Sequence, residues 1–172
     1  MVATRFVKAM AAVALFNSLL FLTMYQEVIA SEREEEAKKY TEQLRKSKDT
    51  KTKIKALQGL GELGQIKKSL IAEALPDIYK AVEDKDPGVR AAAAETLGKA
   101  DEPAEKAMPL LMKILKDDKD EGAKIGAING LVALGSNAKE ALPTLRQIAK
   151  DSDKQSKLGK AAKNALKSIG KN

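Results

Sequence analysis

The stretch Asp86-Pro87-Gly88-Val89-Arg90-Ala91-Ala92-Ala93-Ala94-Glu95-Thr96-Leu97-Gly98-Lys99-Ala100 decides the fold. Aspartate followed by proline is a helix start, because the carboxylate caps free N–H groups and proline needs none of its own in the first turn. Behind it, small and aliphatic residues recur at helical spacing. Three other segments align with its second half: Lys55-Ala56-Leu57-Gln58-Gly59-Leu60-Gly61-Glu62-Leu63-Gly64, Gly126-Ala127-Ile128-Asn129-Gly130-Leu131-Val132-Ala133-Leu134-Gly135 and Ala161-Ala162-Lys163-Asn164-Ala165-Leu166-Lys167-Ser168-Ile169-Gly170. An alanine stands at 56, 93, 127 and 162, and a leucine one turn later at 60, 97, 131 and 166. A period in this range is the mark of a repeat architecture.

A second pattern follows the first three segments: Ala74-Leu75-Pro76, Ala107-Met108-Pro109 and Ala141-Leu142-Pro143, each continued by apolar residues such as Leu111, Ile114 and Leu115, or Leu145, Ile148 and Ala149. Each unit is therefore a pair of helices, the second opening near its proline. Asp84, Asp117, Asp118 and Asp151 are expected to close these second helices. The alanines let neighbouring helices approach, and the leucines fill the groove between layers. Gly64, Gly135 and Gly170 follow the last periodic residue of their helices, where a left-handed cap suits glycine. Asp101 takes that place in the second unit.

Composition narrows the chemistry. The 172 residues contain no cysteine and no histidine. Disulfides, thiolate or imidazole metal sites, cysteine nucleophiles and imidazole acid–base schemes are thereby excluded. No phosphate-binding glycine loop, supported Ser/Lys pair or metal-ligand spacing is present, so the expectation is a non-enzyme with no cofactor. The acidic run Asp117-Asp118-Lys119-Asp120-Glu121-Gly122 lacks the alternating spacing of a calcium loop.

Residues 1–30 read as an export signal: Arg5 and Lys8, an apolar run from Ala9 to Met24, and small residues at Val28 and Ala30 suited to cleavage before Ser31. The alternative is an uncleaved membrane anchor over residues 9–25, short of the roughly 20 residues a spanning helix wants. The expected location is periplasmic or extracellular. Residues 31–48 form a charged helix candidate with Ala37, Tyr40 and Leu44 on one side, docking on the first repeat. Its cluster Glu32, Glu34, Glu35 and Glu36 suits the positive end of a helix. From Ser31 to Asp153 there are 23 basic and 23 acidic residues, whereas Lys154 to Asn172 holds six lysines and no acid. The excess charge thus sits in the last helix, which speaks against a domain-wide nucleic-acid face.

The units resemble HEAT repeats, particularly the bacterial type related to phycobilisome-lyase repeats, with Asp86-Pro87-Gly88-Val89-Arg90-Ala91-Ala92-Ala93 carrying the likeness. Tetratricopeptide repeats place proline at the end of the second helix, whereas here seven or eight periodic residues follow it. The resemblance covers about residues 49–172 and implies an all-α fold, a short right-handed solenoid of stacked helix pairs with about three and a half repeats. Bilin attachment enters only as what that family name implies. The resemblance also implies that the second helices line the concave side. Counting three, four and seven residues after each proline gives Tyr79, Lys80 and Glu83, then Met112, Lys113 and Lys116, then Arg146, Gln147 and Lys150, as candidate partner-binding stripes. Tyr79 and Met112 also fit a plain core role.

The expected function is that of an exported protein-binding scaffold, monomeric, with a protein partner and no nucleic acid. The alternative is peripheral docking on an anionic membrane or wall polymer through Lys160, Lys163, Lys167 and Lys171 of the last helix, a stripe that also reads as a solvated capping face.

Overall fold

A computed structural model describes residues 2–100, 102–153 and 155–171; for residues 2–19 and 21 it describes the backbone. Asp101 and Lys154 lie outside the described residues. The chain divides into two compact units, Met1–Glu36 and Ala37–Asn172.

The first unit is helical and belongs to α1 (Val2–Lys46). The signal or anchor expected over residues 1–30 falls largely on side chains outside the described residues. Among the described residues, no helix is long and apolar enough to cross a membrane. Leu22, Met24, Tyr25 and Val28 are each more than half exposed. Glu32, Glu34, Glu35 and Glu36 lie inside α1 rather than at a helix start, because the helix continues backward through Ser31.

The second unit begins with the end of α1, whose Ala37, Thr41 and Leu44 are buried. Then come α2 (Thr50–Ile66), α3 (Leu75–Ala81), α4 (Pro87–Lys99), α5 (Ala104–Asp117), α6 (Glu121–Leu134), α7 (Leu142–Asp151) and α8 (Lys157–Ile169). One row stacks α2 on α4, α4 on α6 and α6 on α8; α3, α5 and α7 form the accompanying row. This is the expected set of three helix pairs and a final half. Every first helix has a side-chain cap: Asp49 accepts from Thr52 N at 2.8 Å, Asp86 from Gly88 N at 2.9 Å, Asp120 from Ala123 N at 2.9 Å, and Ser156 from Gly159 N at 3.0 Å. No second helix has one.

The repeated alanines 56, 93, 127 and 162 are fully buried, as are Leu60, Leu97 and Leu131. Leu166 is half-buried, as befits the last layer. The closest helix approach comes from other small residues. A Cβ on Gly98 would lie 2.1 Å from the carbonyl oxygen of Gly130, and one on Gly130 would lie 2.4 Å from that of Ala94. α4 and α6 thus pack backbone against backbone, a fit that any larger side chain would part. The Thr96 hydroxyl lies 2.8 Å from the Leu57 carbonyl, tying α4 to α2.

Three boundary expectations are corrected. Of the three expected caps, Gly135 has positive φ, 59°, whereas Gly64 lies within α2 and Gly170 is right-handed. Gly64 is small for packing instead, since a Cβ there would lie 2.7 Å from Ile71 Cδ1. Pro76 and Pro143 open their helices as expected, but Pro109 stands inside α5, which begins a turn earlier behind Pro103. The equivalent residues of the other units form 3₁₀ segments, Lys68–Ile71 and Gly135–Ala141. Asp84 does not close α3, which ends at Ala81; it accepts from Asp86 N at 3.0 Å.

Candidate functional site

The row of α3, α5 and α7 carries the stripes singled out in the sequence, except for Glu83, which stands in the turn just past α3. Lys80, Glu83, Lys113, Lys116, Arg146, Gln147 and Lys150 are exposed, whereas Tyr79 and Met112 are half-buried against the core. The structure brings Glu83 and Lys113 together across neighbouring layers at 2.9 Å. No ion pair joins Arg146 or Lys150 to another element among the described residues, and Gln147 donates to Asp151 at 2.7 Å within α7.

Tyr79 is occupied by the fold. Its hydroxyl donates to Glu102 Oε2 at 2.8 Å, and Lys68 Nζ lies 2.9 Å from Glu102 Oε1. Burial together with the bond to Glu102 pushes the phenol up to about 12. Burial alone would raise the Glu102 carboxyl, but the bonds from Lys68 and Tyr79 outweigh it and hold it below the usual range. Glu102 therefore fastens the 3₁₀ segment and α3 to the loop before α5. Sequence reading missed it, because a lone glutamate in a loop has no periodic signal.

A cavity of about 270 Å3 opens between α3 and α5. Val82, Leu110 and Ile114 supply its apolar lining; Glu83, Lys113, Asp117, Arg90 and Asp118 supply the charged part. Arg90 Nε lies 2.7 Å from Asp118 Oδ2 and Nη2 lies 2.8 Å from Oδ1, a two-point grip. The bond from Arg90 lowers the Asp118 carboxyl despite its burial. The corresponding pair one unit earlier is Lys53 with Asp84 at 2.8 Å. A sequence signal for both existed: a base four residues after the cap, as in Asp49/Lys53 and Asp86/Arg90, and an aspartate two residues before the next cap, as in Asp84/Asp86 and Asp118/Asp120.

A second groove, of about 460 Å3, lies between the end of α1 and α3, lined in part by Leu44, Ala81, Lys80 and Glu83. Arg45 Nη2 lies 2.8 Å from Asp77 Oδ2 there. Glu83 borders both hollows.

On α8, Lys160 and Lys167 are exposed and Lys163 is half-buried; Lys171, expected on the same helix, is exposed in the turn past its end at Ile169. Leu158, Ala162, Ala165 and Ile169 are buried beneath them. None of the four lysines has an ion-pair partner among the described residues. No group of three or more acidic side chains there is arranged to hold a metal ion.

A family model described as HEAT repeats matches residues 37–132, more than half of the chain. The chain belongs to the HEAT-repeat family. Repeats of this family are generally protein-interaction scaffolds and typically non-enzymatic. No curated protein gives a match.

Proposed function

We propose that this HEAT-repeat chain is an exported scaffold that holds a protein partner on the face formed by α3, α5 and α7. The observation that carries the reading is the apolar cavity between α3 and α5, open at a surface whose charged side chains come from successive layers. Buried apolar contact supplies affinity, and a charged rim orients the partner. The Glu83–Lys113 pair beside the cavity is exposed on both sides, so a partner can exchange it readily. Export rests on residues 1–30 and predicts a protein beginning at Ser31 in the envelope or secreted fraction; intact Met1 in a soluble cytoplasmic pool would contradict it.

The testing variant is Lys113→Ala with Lys116→Ala and Arg146→Ala, since these side chains are exposed and their removal leaves the fold alone. Capture of the partner from envelope extract should be lost while helicity matches the parent. Undiminished capture would move the site elsewhere.

The lysines on and just after α8, without ion-pair partners among the described residues, favour a second reading, docking on an anionic membrane or wall polymer. Changing Lys160, Lys163, Lys167 and Lys171 to Gln should then abolish envelope association, and added salt should mimic the loss.

A further inference from the structure

We infer that the occupant of this face is an extended acidic segment that places one apolar side chain in the cavity between α3 and α5. This rests on the protein-binding reading of the face and adds the chemistry of the partner. The cavity, about 270 Å3, lies below the size of pockets that enclose a whole small molecule. Its Val82, Leu110 and Ile114 lining suits a single aliphatic or aromatic side chain.

The acids of this face are largely spent on the fold: Asp77 on Arg45, Asp84 on Lys53, Asp118 on Arg90 and Glu83 on Lys113. Four further cations are not. Lys80, Lys116, Arg146 and Lys150 are exposed and have no ion-pair partner among the described residues. After internal pairing, Asp117 and Asp151 are the acids of α5 and α7 near these bases that remain outside ion pairs among the described residues, two against four. Covering them with a neutral or basic partner would desolvate cations without compensation, whereas carboxylates would pair with them.

Spacing adds a register. Lys116 and Lys150 both stand seven residues after the proline of their helix, so they occupy matching places on neighbouring layers. The layers are spaced by the packing of α4 on α6, roughly 8 to 10 Å for packed helices, and an extended chain advances about 3.3 Å per residue. Carboxylates three residues apart on the partner therefore meet successive layers, with the apolar residue one further step back, at the cavity.

The test is fluorescence anisotropy of the full chain with labelled peptides. The first has one leucine and glutamates three and six residues after it, in a Gly-Ser background. The second replaces leucine by alanine, and the third replaces both glutamates by lysine. The glutamate-leucine peptide should bind, the alanine peptide should bind about tenfold more weakly, and the lysine peptide should not bind. Lys116→Glu with Lys150→Glu should weaken the first peptide by about tenfold or more, and glutamine at Lys160, Lys163, Lys167 and Lys171 should leave it unchanged. Binding of the lysine peptide at equal strength, indifference to the Lys116/Lys150 reversal, loss on the glutamine change, or no peptide binding would each overturn the inference. If the peptides fail while Lys113→Ala with Lys116→Ala and Arg146→Ala still abolishes partner capture, the face stands and the acidic segment falls. If both fail, the face falls too.

Discussion

The two rows of helices are built from different chemistry. In the row of α2, α4, α6 and α8, each helix carries a side-chain cap, and the contact between α4 and α6 is close enough to forbid a Cβ at Gly98 or Gly130. In the row of α3, α5 and α7, no helix has a side-chain cap, α3 is only seven residues long, and charged side chains face solvent. One row fixes the distance between repeats. Released from that constraint, the other can vary its outward residues with little consequence for the fold. The proposed contact surface is placed on the second row for that reason.

Substitutions can break this division, and the largest effect is expected at the centre of the first row. Leu131, fully buried, should lose about 2 to 5 kcal/mol on Leu131→Ala. Leu166→Ala, in the half-covered last layer, should lose clearly less; equal losses in urea unfolding would mean that the last layer is capped by something else. Next in size is Gly98→Ala, where the added methyl meets the Gly130 backbone and should cost about 1 to 3 kcal/mol. An unchanged or raised unfolding midpoint would show that α4 and α6 can part freely.

Asp118→Asn sharpens the comparison at the seam between rows, leaving Arg90 with a weaker acceptor and costing about 1 to 2 kcal/mol at neutral pH. Because the Asp118 carboxyl is lowered in the folded protein, its contribution is complete above the ordinary carboxyl range near pH 4 and disappears as pH falls through the native value. The gap between parent and variant should therefore close on acidification below about pH 4. A gap constant down to pH 2 would remove the Arg90 interaction as its cause. The smallest effect is expected from Lys113→Ala with Lys116→Ala and Arg146→Ala, whose unfolding midpoint should coincide with the parent's; a marked drop would place these residues in the fold.

Much of the first row was legible because its constraints recur. Alanine at 56, 93, 127 and 162 and leucine one turn later mark the stacking face, and Asp86-Pro87 marks a helix start that the structure reproduces. Helix ends were less legible, since Gly64 is glycine for side-chain packing against Ile71 and gives the same letter as a cap. Pro109 misled for a related reason: a proline reads as a helix start whether or not the preceding turn is α-helical. Of the candidate stripes, Glu83 falls in the turn past α3, and Tyr79 is held by Glu102, a partner 23 residues away. The cavity needs Val82 from one unit and Leu110 and Ile114 from the next, a conjunction that emerges only once the layers are stacked.

A photo-crosslinking side chain carried at one of two exposed positions compares the rows directly: residue 116 on α5, in place of Lys116, and residue 129 on α6, in place of Asn129. After irradiation of intact cells, the account predicts a covalent adduct of higher mass from position 116 and none from position 129. An adduct from position 129 with none from position 116 would contradict it.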